Sequence, residues 1–236
     1  MFPTKCPLDY AAKDWVEDSL HLLASEFGPE VLRERPVVEP TEAFFPEPYI
    51  GNLAGAKTLL RRTADFMDAD LEAIEPRIVP ARGAVWLVDD RDHAAAPSAP
   101  QADPDVMVFA LELDDLSRPD QMVGLFAREL AGLRLSEEAG IGTDAYDFGC
   151  LADLLAAFCG LGVFTAAVEE IEKLPTERIA PCLPHAWLGY ALAHVAWHRG
   201  EERPAWAKWL EGAAAANFKQ GLRWLLETGE SDFRPA

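Results

Sequence analysis

Residues 106–135 read VMVFALELDDLSRPDQMVGLFARELAGLRL, and the reading of the fold turns on this stretch. Val106 to Glu112 is rich in β-branched and aromatic residues and predicts a strand. Asp114-Asp115 marks a turn. Ser117 is placed to cap a helix and Pro119 to occupy its first turn, because proline has no N–H to lose there. From 119 to 135 the apolar residues recur at helical spacing. The order is therefore strand, acidic turn, long helix.

Upstream, residues 10–27 predict an amphipathic helix, with Trp15, Leu20, Leu22, Leu23 and Phe27 set among Asp and Glu. Gly28-Pro29 closes it and opens a short second helix to about Arg35. Residues 36–52 contain Pro36, Pro40, Pro46 and Pro48, which exclude regular helix. Phe44, Phe45 and Tyr49 are expected as anchors of an ordered loop, followed by a helix over 53–68. Residues 74–79 and 83–89 read as further strands, and 90–104 (DRDHAAAPSAPQADP) as a low-complexity, mobile loop. Downstream, helices are predicted at 148–173, 184–199 and 204–227. The expected fold class is α+β, mainly α: about six helices around a small, mainly antiparallel sheet, in one domain over 1–236.

The chain has 236 residues, 40 acidic and 21 basic, for a net charge of −19. This disfavours nucleic acid as a partner, since phosphate backbones require a basic surface. No apolar run approaches the roughly 20 residues of a membrane span, and the N-terminus lacks the apolar stretch of an export signal. A cytoplasmic location without membrane contact is the expectation. Cys6, Cys150, Cys159 and Cys182 show no CxxC spacing and are expected to be reduced and structural.

In zinc peptidases with an HExxH helix, two His one turn apart hold the metal and the intervening Glu acts as general base on the bound water. The helix MVGLFARELAGLRL is similar to the LxHELAHxxL helix of small zincin-like bacterial proteins with its ligands replaced. Arg128 stands at the first His position, Glu129 at the general base, and Leu130-Ala131 lead to Gly132 at the second His. Residues 42–68 (EAFFPEPYIGNLAGAKTLLRRTADFMD) resemble the FFPDPYxG segment and following helix of an uncharacterised bacterial family of this architecture. Residues 151–164 (LADLLAAFCGLGVF) resemble its LTDLLTVFLGFGIF helix, and 188–226 its C-terminal GYALA…FKQ…L pair. The resemblance implies a zincin-like scaffold. It also implies a third ligand just before Ala152-Asp153, where Phe148 and Gly149 stand and Asp147 is the nearest carboxylate.

Zinc catalysis needs about three protein ligands and an open position. Arg128 keeps its proton and repels a dication, and Gly132 offers no side chain. No zinc or other cofactor is expected, and no catalytic residue. In place of the metal, Arg128 would supply positive charge to Glu129, Asp147 or Asp153. Alternatively, Arg128 and Glu129 are adjacent surface residues about 100° apart on the helix. His194 and His198 form an i,i+4 pair that could hold a metal, but no third ligand is evident in the sequence. Gly160-Leu161-Gly162 lacks the lead-in strand of a phosphate loop and reads as a site of close helix packing. Trp197, Trp206, Trp209 and Trp224 are expected in a C-terminal core or at one partner surface.

The leading functional expectation is a non-catalytic relative of a metallopeptidase, a pseudoenzyme that binds a protein partner, possibly a basic one. One alternative is a hydrolase with a rearranged site around Glu129. The other is an acidic immunity-type protein that neutralises a basic partner.

Overall fold

Asp9 begins the first helix by accepting a hydrogen bond from Ala12 N at 2.9 Å, which satisfies one of the free N–H groups at the helix start. In the computed structural model, which describes residues 4–69, 71, 75–80, 106–111, 114–168 and 183–235, this helix is α1 (Tyr10–Phe27). Gly28, at a φ of +87° that favours glycine, ends it and sets Pro29 at the start of α2 (Pro29–Glu34). Asn52 caps α3 (Leu53–Met67) through Gly55 N. Two extended segments follow, β1 (Glu75–Pro80) and β2 (Val106–Leu111). A 3-10 turn at Asp114–Ser117 then leads into α4 (Pro119–Glu137). Next come α5 (Phe148–Ala156), a π-turn at Ala157–Leu161 and α6 (Gly162–Thr165). After them come α7 (His185–His198), a 3-10 turn at Ala205–Trp209 and α8 (Gly212–Thr228).

The architecture is mainly helical, which corrects the α+β expectation. The small antiparallel sheet that a zincin-like scaffold calls for is not found among the described residues. Among the described residues β1 and β2 pair only with each other and run parallel, from Glu75 beside Val106 to Pro80 beside Leu111. A run of β-branched residues reports a strand but carries no information on direction. Residues 81–105 intervene, long enough for the return that a parallel pair requires. The strand at 83–89, the loop at 90–104, residues 169–173 of the helix expected over 148–173, and Cys182 lie outside the described residues.

Phe148 to Thr165 forms the centre. Contrary to the expectation that no apolar run approaches a membrane span, it could cross one by length and composition alone, but here 94% of it is buried within the fold. α4 covers it with Met122, Val123, Phe126, Ala127, Leu130, Ala131 and Leu135. The continuous helix expected over 148–173 is broken at Gly160, whose φ is +97°. A Cβ there would stand 2.3 Å from Pro36 O, and the turn allows Val38 N to donate to Gly160 O at 2.9 Å. Close packing at this glycine is thus between backbone and backbone. The loop anchors are half-buried: Phe45 packs edge-on against Phe66 and Phe164, and Tyr49 Oη donates to Leu116 O at 2.7 Å.

The helix expected over 204–227 is two elements, because Leu210 is extended between the 3-10 turn and α8. Trp206 and Trp224 enter the core. Trp209 stays at the surface, its Nε1 donating to Glu39 and its ring beneath the Lys208 ammonium. α7 and α8 come together at Gly189, where a Cβ would lie 2.3 Å from Ala214 O. Gly189→Ala is therefore expected to push the helices apart and cost about 1–3 kcal/mol, more than the roughly 1 kcal/mol that alanine gains in helix propensity. Urea unfolding measures this, and an unchanged or raised midpoint would refute the close approach.

Candidate functional site

α4 carries Arg128 into the interior, where 8% of it is exposed, and α5 presents Asp153 opposite, at 7%. Arg128 Nη1 donates to Asp153 Oδ2 at 3.1 Å, and Leu183 N donates to the same oxygen at 2.8 Å. Burial pushes the Asp153 carboxyl above its ordinary range, against the pull of Arg128 and of the Leu183 N–H. Of the carboxylates considered for Arg128, Asp153 is thus one it meets.

The other positions fall into different surroundings. Gly132 faces the Phe148 ring, whose Cε1 would lie 3.2 Å from a Cβ at that position. A phenyl group occupies the space that a second imidazole would need. Asp147, just before α5, accepts a hydrogen bond from Trp15 Nε1 at 2.9 Å and so joins α5 to α1. Glu129 is half-buried on α4. Cys6 and Cys159 are free thiols, and burial pushes the Cys159 thiol up to about 11, far from the thiolate a nucleophile requires.

His194 and His198 share a face of α7, with rings stacked at 6.0 Å. His194 is fully enclosed, its Nε2 3.4 Å from Glu17 Oε1. Glu17 is the residue sequence reasoning passed over. It is 1% exposed, and it accepts from Tyr190 Oη (2.6 Å), Asp232 N (2.6 Å) and Lys13 Nζ (2.9 Å). Burial opposes its ionisation, but His194, Tyr190, Lys13 and the Asp232 N–H together hold the carboxyl well below the usual range. Its position gave the signal: three residues before Leu20 and seven before Ala24, Glu17 lies on the apolar stripe of α1. Phe233 closes the cluster from the C-terminal segment, its ring 4.8 Å from His198 and 5.0 Å from His21. No group of three His, Cys, Asp or Glu fit to hold a metal occurs among the described residues. No family model, curated protein or solved structure matches the chain.

Two outcomes follow from this geometry. Arg128→Ala leaves Asp153 buried without its guanidinium and is expected to cost about 3–5 kcal/mol at neutral pH. That loss should shrink in acid as the carboxyl takes a proton. Asp153→Ala should also destabilise, and the double variant should lose roughly 0.5–3 kcal/mol less than the sum. Strictly additive, near-zero effects in denaturant unfolding would show the pair to be inert.

Burial, with His194, Arg33 and Arg234 nearby, pushes the His198 imidazole down to about 4, and burial also lowers His194. A histidine whose folded-state value is depressed contributes stability above its unfolded value of about 6.5 and loses it as pH falls. Glu17, also lowered, acts in the same direction below its ordinary value of 4.5. Relative to His198→Gln, the natural protein should therefore lose stability steadily between about pH 6.5 and 4. Parallel melting-temperature profiles of the two proteins would contradict this.

Proposed function

We propose that this protein works by binding a cationic protein partner and not by catalysis, as a non-catalytic relative of the zincin-like family it resembles in sequence. The observation that carries this reading is the Arg128–Asp153 pair. Arg128, at the first ligand position of the motif that α4 resembles, is bound to Asp153 in the interior, and Phe148 fills the adjoining space at Gly132. A general base needs access to the proton it abstracts, and a metal needs deprotonated ligands around an open position. The kinship itself rests on the sequence segments 42–68, 151–164 and 188–226 together with the α4 motif.

The net charge of −19 supports the partner class, because a strongly acidic surface steers cationic proteins to it and repels nucleic acid and further copies of itself.

The purified protein is expected to contain no stoichiometric zinc, and added zinc should not raise its melting temperature. It should hydrolyse no general peptide or ester substrate. Association with a cationic partner should slow steeply as salt shortens the screening length below about 8 Å. A hydrolytic rate abolished by Glu129→Gln, with the melting temperature unchanged, would overturn the proposal in favour of a rearranged hydrolase.

A further inference from the structure

Along α1, Tyr10, Asp14, Asp18 and Leu22 follow one another at intervals of four and form a single ridge on the helix. The opposite face, with Val16, Leu20 and Leu23, is buried in the core. Beside the ridge lies a groove of about 690 Å³, whose far wall is Ile141, Ala145, Asp147 and Leu151. Its floor is fixed. Trp15 is tied to Asp147 by its Nε1 and packs against Trp187, with ring centres 5.5 Å apart.

Three properties of this groove coincide. It is bordered by the carboxylates of Asp14, Asp18 and Asp147, and none of the described residues that line it is a Lys or Arg. The nearby cation of α1, Lys13, is engaged with Glu17 and Asp232. Exposed apolar side chains also gather here: Tyr10 (79% exposed) and Leu22 (37%) line it, and Tyr146 (94%) stands between Ala145 and Asp147. These are half of the six exposed large hydrophobic residues described. Single exposed apolar residues are ordinary on protein surfaces, but a cluster around one groove marks a place of contact.

Resting on the binding reading above, we infer that this groove is the docking site for a basic segment of the partner, one that carries lysine or arginine together with an aliphatic or aromatic anchor. The anchor meets Trp15, Leu22, Ile141 and Leu151. The cations meet Asp14 and Asp18 on the exposed ridge. Charge complementarity selects this occupant: a phosphorylated or acidic ligand is repelled at the border, and so is a second copy of a chain with a net charge of −19.

The test uses a fluorescent synthetic peptide of alternating lysine and leucine, with lysine–serine and glutamate–leucine versions for comparison. Fluorescence anisotropy should show saturable binding of the lysine–leucine peptide only. The double variant Asp14→Lys, Asp18→Lys should weaken binding by about tenfold or more, because two attractions become repulsions, while Glu227→Lys on α8 should change it by less than about twofold. Leu22→Ser should weaken it without altering its salt dependence. Equal losses from Glu227→Lys, or undiminished binding of the lysine–serine peptide, would mean diffuse charge attraction and would overturn the inference. Concentration-dependent dimerisation in sedimentation, abolished by the same double variant, would assign the groove to a second copy instead. If a natural basic partner bound the double variant as tightly as the unaltered protein, the groove would be refuted and the binding reading would stand.

Discussion

Eighteen residues from Phe148 to Thr165 present almost nothing that water could solvate, and the rest of the structure is arranged to cover them. A helix that is apolar all round has no face to leave outside. α1, α2, α3, α4 and α7 therefore close upon it or upon its π-turn from several sides. The close approaches fall on glycines. A Cβ on Gly124 of α4 would stand 2.4 Å from Phe164 O, and one on Gly162 would stand 2.4 Å from Leu192 of α7. At Gly160 the left-handed turn lets the loop after α2 hydrogen-bond into the middle of this central segment.

Apolar burial drives this assembly but has no direction, so it does not by itself set how the helices are registered. Buried polar groups add direction. Asp153 ties α5 to α4 through Arg128 and to the segment leading into α7 through Leu183 N. Arg134 ties α4 to the end of α3 through Met67 O, chelates Glu138 and lies over the Phe27 ring. Glu17 gathers α1, α7 and the C-terminal segment around one carboxylate. Each joins parts of the chain far apart in sequence, and each is nearly surrounded by donors or acceptors, as burial of charge requires.

Helices were legible in the sequence wherever local signals agreed. Gly28-Pro29 and the apolar periodicity place α1 and α2 to within a residue, and Pro119 does the same for the start of α4. The fold class was misread because β-branched runs such as VMVFAL attract attention out of proportion to their number. The burying power of 148–165 rests on alanine, leucine and phenylalanine, which suit helices. The break at Gly160 was hidden because GLG inside an apolar run looks like helix packing, and only the approach of Pro36 makes the left-handed turn favourable. In the candidate site, Asp153 was legible only as one of three carboxylates open to Arg128, because helical spacing along α4 does not say which neighbouring helix it faces. Glu17 was missed because acidic neighbours on α1 made it look like part of a solvated face, although its phase placed it inside.

The distribution of charge bears on function more than the fold does. Many of the described cations are already committed: Arg128 and Arg134 inside, Lys13 to Glu17, Arg35 to Asp68, Arg62 to Glu47 and Lys208 to Glu39. With 40 acidic residues against 21 basic ones, carboxylates are left over, and Asp14 and Asp18 are among the exposed ones. Solubility alone would be served by spreading them evenly over polar surroundings. On α1 two of them instead flank exposed Tyr10 and Leu22 along a groove with a fixed tryptophan floor. Charge beside apolar surface discriminates between partners in a way that neither does alone: the carboxylates select a cation, and the apolar floor rejects a cation that brings nothing to bury. That combination lies on the outside of the molecule, whereas Arg128 and Asp153 are bound to one another within it.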